Sequence, residues 1–266
     1  MEVKRIRLNK LDNTRDLGGF PAADGAVIRP RRLIRSGELS KADENDLAVL
    51  KNEYRVRTIV DLRMEAEREQ SPDPPVGDAE TVFLPILDSS FFGIARDENS
   101  IKAWMRLFDD PSVSPESVFK EMYRKLMFSE YVRPYYRRFF DILLEDKPGA
   151  VLWHCSAGKD RAGITAMLVL MALGVSRELM IRDYMMTGVF SKKELRKRKL
   201  MIRFLVRDKR KKHCFRVLLD VREEYVRQLF SIIDRDYGSE TGYLTSFIGL
   251  TEDEILRLRE LYLEKE

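Results

Sequence analysis

Cysteine is nearly missing from this chain, with two in 266 residues, Cys155 and Cys214. Two thiols cannot make a disulfide framework, so the fold must rest on its core, and a reducing compartment is expected. Histidine is as scarce, with only His154 and His213; a zinc site is poorly supplied, and neither metal nor cofactor is expected. No run of about 18 or more apolar residues occurs, so no membrane-spanning helix is predicted. The N-terminal MEVKRIRLNKLDNTRD is basic but lacks the apolar core of a signal peptide, which makes the cytoplasm the expected location. Internal repeats and low-complexity linkers are also missing, as suits one domain over residues 1–266.

What is present describes a globular protein: 44% hydrophobic and 35% charged residues, in a chain long enough to bury a substantial core. The net charge of +4 is unevenly placed, because thirteen Lys or Arg lie between Lys192 and Arg216 against only Glu194 and Asp208. Such a field favours an anionic partner, whether a phosphorylated substrate, a membrane headgroup or nucleic acid, of which nucleic acid is not expected here, and a solvated helical face is the plainer alternative.

Strand and helix signals alternate early and helices dominate late. GAVIRPRRLIRSGELS, behind the Asp24-Gly25 turn signal, predicts a small hairpin or an irregular extended segment. Ser40 is the expected N-cap of a helix carrying Leu47 and Leu50 inward. The β-branched run Thr58–Leu62 predicts a buried strand ending at Asp61 and Arg63, a strand-end ion pair, and ETVFLPIL predicts a second strand. Residues 100–145 read as helix broken near Pro134, AVLWH as a third strand, and ITAMLVLMALG as a buried helix ended by Gly174. Ser191 with Glu194 and Thr251 with Glu254 have capping-box spacing. An α/β domain follows, with the basic stretch near residues 188–216 projecting as an insertion or helical lid.

Between the third strand and its helix lies HCSAGKDRAG, His154 to Gly163. A turn from a strand into a helix N-terminus gathers backbone N–H groups into one concavity, and the helix dipole adds positive potential. Such a cup binds a tetrahedral oxyanion and favours a thiolate at its floor, Cys155. Ser156, Ala157, Gly158 and Lys159 supply the cup, and the planar fork of Arg161 can hold two phosphoryl oxygens. Together these suit phosphate monoester hydrolysis through a phosphocysteine. Asp160 is the first choice for the proton donor, with Asp88 as its rival. His154 is expected to orient the loop by hydrogen bonding, and Arg15 and Asp16 to support it from behind or simply to form a turn.

HCSAGKDR resembles the phosphate-binding signature of the atypical bacterial protein tyrosine phosphatases, a family that includes enzymes acting on phosphoserine, phosphothreonine or phosphoinositides. NTRDLGGF (13–20), RPRRLIRSGELS (29–40), TIVDLR (58–63) and GYLTSFIGLTEDEILRLRELYL near the end are similar to that family's recurring segments, in the same order. The resemblance implies a cysteine-dependent phosphatase fold: a mainly parallel sheet of four to five strands, flanking helices, no metal and a helical lid. It implies Cys155 as nucleophile, Arg161 as clamp, Asp160 as acid, and Lys159 at the pocket mouth favouring anionic substrates. One position departs. The family's hydroxyl residue after the arginine is Ala162 here, which predicts slow phosphoenzyme breakdown unless Ser156 or water substitutes, and leaves a catalytically weak phospho-ligand binding module as the alternative.

Overall fold

Four consecutive parallel strands carry the site, and their residues show why they pack as they do. The computed structural model describes residues 3–87, 109, 110 and 112–265. Strands β4 (Leu33–Ser36), β7 (Ala150–His154), β5 (Val56–Asp61) and β6 (Glu80–Phe83) lie side by side and parallel. β1 (Lys4–Arg5) and β2 (Arg15–Asp16) extend the β4 edge antiparallel, giving the order β1-β2-β4-β7-β5-β6. The sheet therefore has six strands and is only partly parallel, wider than the expected four or five.

Every residue of AVLWH is buried, as a central parallel strand covered on both faces requires. Side chains alternate between two cores. Leu33, Val60, Val151 and Trp153 join the larger one, while Ile34, Ile59 and Leu152 face a smaller one with Ile6, Leu50 and Val76.

The helices are α1 (Glu44–Ala48), α2 (Glu65–Gln70), α3 (Pro115–Phe128), α4 (Arg133–Leu144), α5 (Asp160–Ala172), α6 (Arg177–Phe190), α7 (Lys192–Leu205), α8 (Lys209–Leu219), α9 (Glu223–Asp236), α10 (Glu240–Tyr243) and α11 (Glu252–Tyr262). From Ala162 onward α5 is buried on all sides, and its apolar residues join the larger core. By contrast, α7 buries none of its residues. Among the described residues no helix is long and apolar enough to cross a membrane.

Local signals and long-range pairing diverge in three places. β3 (Ala26–Ile28) does not pair with β4 as a hairpin; it pairs antiparallel with β8 (Leu263–Lys265), and β4 enters the central sheet. Asp43, not Ser40, caps α1 by accepting from the Asp46 N–H, because Leu39–Lys41 forms a separate 3-10 turn. Ser191 makes no side-chain cap, since α6 runs to Phe190 and the same residue must close one helix and open the next. The Thr251–Glu254 capping box is formed, and Pro134 sits in the first turn of α4, where its missing N–H costs nothing. The expected helix before residue 109 lies outside the described residues.

Candidate functional site

In register, Ser36 and Asp61 flank His154 at the carboxyl ends of β4, β5 and β7. The three connections leaving those strands converge there, where parallel α/β sheets place their ligand sites. Residues 155–159 bridge β7 to α5, and the loop is shaped by close approach: Gly158 has φ +66°, and a Cβ on it would stand 2.6 Å from the Ser36 carbonyl oxygen and 2.7 Å from the Gly37 nitrogen. No other residue fits without moving that backbone.

Side chains from the N-terminal segments hold the loop from behind. Asn13 Nδ2 donates to the carbonyls of Ala157 at 3.1 Å and Gly158 at 3.0 Å. Arg35 Nη2 donates to Gly158 at 2.8 Å and Lys159 at 3.2 Å, and the Glu38 N–H donates to Ser156 at 3.2 Å. Four successive carbonyls are thus drawn to one side. In a trans peptide the following N–H points the other way, so the amides of residues 157–160 turn toward the opposite face.

Asn13 is itself fixed by Arg15, whose Nη1 donates to Asn13 Oδ1 at 2.7 Å. Arg15 Nε binds Asp183 Oδ1 at 2.7 Å, and Arg35 Nη1 binds the other oxygen of the same carboxylate. All three are buried. Burial, reinforced by the neighbouring charge of Arg35, pulls the Arg15 guanidinium down to about 10 against the opposing pull of Asp183. Burial works to raise the Asp183 carboxyl, yet the two guanidiniums hold it below the usual range. The support beneath the loop is therefore charged, with two cations sharing one anion.

Above the loop, Cys155 is 2% exposed and Arg161 9%. Arg161 Nη2 donates to Glu67 Oε1 at 2.8 Å and Nη1 to Oε2 at 2.5 Å, leaving the guanidinium's Nε edge outside the pair. Ser156 Oγ donates to the same carboxylate and accepts from Arg161 Nη2 at 3.2 Å. Glu67 Oε2 also accepts from the Met64 N–H at 2.9 Å and so secures the first turn of α2. Burial would raise this carboxyl, but the Arg161 charge holds it at about 2. Burial likewise opposes the Arg161 charge, and Glu67 more than offsets it, leaving the guanidinium firmly protonated.

At the mouth of α5, Asp160 Oδ1 accepts a hydrogen bond from the Tyr123 hydroxyl, and the Tyr123 and Tyr184 hydroxyls lie 2.6 Å apart. Lys159 is not at a pocket mouth. It is 7% exposed, and its Nζ donates to the carbonyls of Leu218 at 2.6 Å and Asp220 at 3.2 Å. The carbonyls left over at the C-terminus of α8 capture the ammonium. Ala162 is fully buried and brings no hydroxyl; Ser156 gives its own to Glu67, and Thr165 gives its own to the Arg161 carbonyl at 2.9 Å.

His154 is buried against two acids, with Nε2 3.2 Å from Asp73 and Nδ1 3.9 Å from Asp61, but neither nitrogen has hydrogen-bond geometry. It does not orient the loop by hydrogen bonding as expected. The Arg63 fork takes Asp61 at 2.8–3.2 Å and Asp73 Oδ2 at 2.6 Å. Asp61, Asp73 and His154 would be close enough to hold a cation, but Arg63 already supplies the positive charge there. Asp16 serves a turn, accepting from the Gly18 and Arg31 amides. Asp88 lies outside the described residues.

Sequence reasoning missed Glu67, Asp183, Asn13 and the two tyrosines. Asp183 had a signal, a lone acid in the apolar face of α6. Glu67 had little, being one of three acids within EAEREQ.

A thiol under an arginine fork, in a loop whose carbonyls are held back from a helix N-terminus, defines the cysteine-dependent phosphatase class. Residues 6–264 match the model of the tyrosine phosphatase family, and the chain belongs to that family. It is 29% identical to the triple specificity protein phosphatase PtpB of Mycobacterium tuberculosis over 91% of this chain and 94% of that protein. A putative tyrosine-protein phosphatase of Cupriavidus necator is 29% identical over 97% of this chain and 88% of its own length. A tyrosine-protein phosphatase of Nostoc commune is 30% identical over 62% and 51%. The protein is accordingly an enzyme with phosphotyrosine phosphatase-like activity acting on phosphorylated substrates.

Proposed function

We propose that hydrolysis runs through a phosphocysteine on Cys155. The Sγ thiolate attacks phosphorus in line, so an S–P bond forms as the ester P–O bond breaks. Asp160 gives its proton to the leaving oxygen, while Arg161 and the amides of the loop bear the charge on the equatorial oxygens. Water then attacks the phosphocysteine and loses a proton to Asp160. The S–P bond breaks with its electron pair returning to sulfur, and inorganic phosphate leaves. The observation that carries this reading is the restraint of four successive loop carbonyls by Asn13, Arg35 and Glu38, which frees the amides for an oxyanion.

Substrates beyond phosphotyrosine are part of the proposal. The relative named a triple specificity protein phosphatase supports more than one class of substrate, and phosphoserine and phosphothreonine are proposed among them. The basic helices α7 and α8 support phosphoinositides and contact with an anionic membrane face. In this reading they act as a lid in a cytoplasmic enzyme. Phosphotyrosine, phosphoserine and phosphothreonine peptides and phosphoinositides, assayed with wild type and Cys155→Ser, test it. Phosphate release from at least phosphotyrosine should vanish in the variant, and acid-quenched wild type should carry phosphate on Cys155. Release that survives Cys155→Ser would overturn the mechanism.

A further inference from the structure

The buried tyrosines beside Asp160 lie on two different helices, Tyr123 on α3 and Tyr184 on α6, and neither belongs to the loop. Both are about 1% exposed or less. Their rings meet edge to face with centroids 6.0 Å apart, which fixes where the hydroxyls point. Tyr123 donates its single proton to Asp160 Oδ1, so in the 2.6 Å contact it must accept from Tyr184. Burial raises both phenols far above neutrality, and so both remain donors.

Every proton in this chain points toward one carboxylate oxygen. Lys159 Nζ, 3.7 Å away, lies nearest the same Oδ1. Oδ1 is thereby committed to accepting, and Oδ2 is left as the oxygen that can carry a proton and give it up. We infer that the Tyr184–Tyr123 chain is the positioning device for the proton donor, presenting Asp160 with Oδ2 toward the leaving oxygen and stabilising the carboxylate that remains after transfer. The inference rests on Asp160 being the general acid. Chains of hydrogen bonds polarise one another in a dry interior, so the second tyrosine strengthens the bond made by the first.

Leaving-group dependence tests this, because a good leaving group needs no proton and a poor one does. Wild type, Tyr123→Phe, Tyr184→Phe, Asp160→Asn and the Tyr123→Phe/Asp160→Asn double variant would be assayed on p-nitrophenyl phosphate and on phenyl phosphate. Tyr123→Phe should lower kcat/KM, which reports formation of the phosphocysteine and not its breakdown, roughly tenfold on phenyl phosphate and less than about twofold on p-nitrophenyl phosphate, the scale of one hydrogen bond to a charged group. Tyr184→Phe should act in the same sense but more weakly, and Tyr123→Phe should add nothing once Asp160 is Asn. Equal losses on both substrates in Tyr123→Phe and Tyr184→Phe, with Asp160→Asn selective, would overturn the positioning role while leaving the acid in place. A full tyrosine effect persisting in the Asp160→Asn background would also overturn it. If Asp160→Asn itself shows no leaving-group selectivity, the acid assignment fails, and this inference fails with it.

Discussion

Beneath the phosphate loop, Arg15 and Arg35 share the Asp183 carboxylate, with side chains at most 2% exposed. On the α7–α8 hairpin, the thirteen Lys and Arg between 192 and 216 stand mostly in water, and their ion pairs, such as Arg198–Glu194 and Lys199–Asp220, are made by side chains at least 30% exposed. The same residue types therefore do different work. A buried guanidinium must be paired, and the pairing fixes its geometry closely enough to position a backbone carbonyl. An exposed cation is screened and contributes a field with little geometry. Precision in this enzyme is built from the few arginines that left the solvent, while the many that did not contribute a field.

The largest effect should come from breaking the buried side. Asp183→Asn keeps the shape and removes the negative charge that Arg15 and Arg35 share, leaving two buried cations facing each other. Stability should fall by about 3–5 kcal/mol, read from urea unfolding midpoints. Activity should fall further than stability explains, because Arg35 also holds the Gly158 and Lys159 carbonyls. A loss below about 1 kcal/mol would mean that the triad is not the support it is taken for.

The sequence made one half of this contrast legible. β5, β7, α5, the loop and the basic hairpin announce themselves through local signals: β-branched runs, an apolar helix, glycines and a charge count. The buried support does not, because Asn13, Arg35 and Asp183 come together only when β2, β4 and α6 pack around the loop. The β3–β8 pairing was hidden for the same reason, since its strands lie more than 230 residues apart. Lys159 was misread because its captors, the carbonyls of Leu218 and Asp220, belong to backbone that carries no side-chain signature.

Glu67 stands between the two regimes, part-buried and paired with a residue that must also meet substrate. Its carboxyl is held at about 2, so its pairing stabilises the fold fully above the ordinary carboxylate range and is lost as pH falls toward 2. Glu67→Gln should therefore cost on the order of 2–3 kcal/mol at pH 7, a difference from wild type that shrinks between about pH 4.5 and 2. With the negative charge gone from beside Arg161, inorganic phosphate should inhibit several-fold more strongly. Unfolding midpoints across that pH range and phosphate inhibition constants check the two parts separately. Unchanged phosphate inhibition would show that the Nε edge of Arg161 and the loop amides bind the anion without feeling Glu67.

The hairpin should give the smallest effect on the fold. Lys193, Lys197 and Arg203 are exposed on α7, a helix with no buried residue, so replacing all three with Gln should change stability by less than about 0.5 kcal/mol. What should change is the field. Association with vesicles containing anionic lipid should weaken a few-fold, and kcat/KM on anionic substrates should lose part of its dependence on ionic strength. Neutral vesicles should not distinguish the variant from wild type. A stability loss comparable to that of Asp183→Asn would erase the distinction between the two regions, because it would make the hairpin's charges structural. An unchanged fold with unchanged salt dependence would instead leave them as a solvated face and assign substrate attraction to the loop alone.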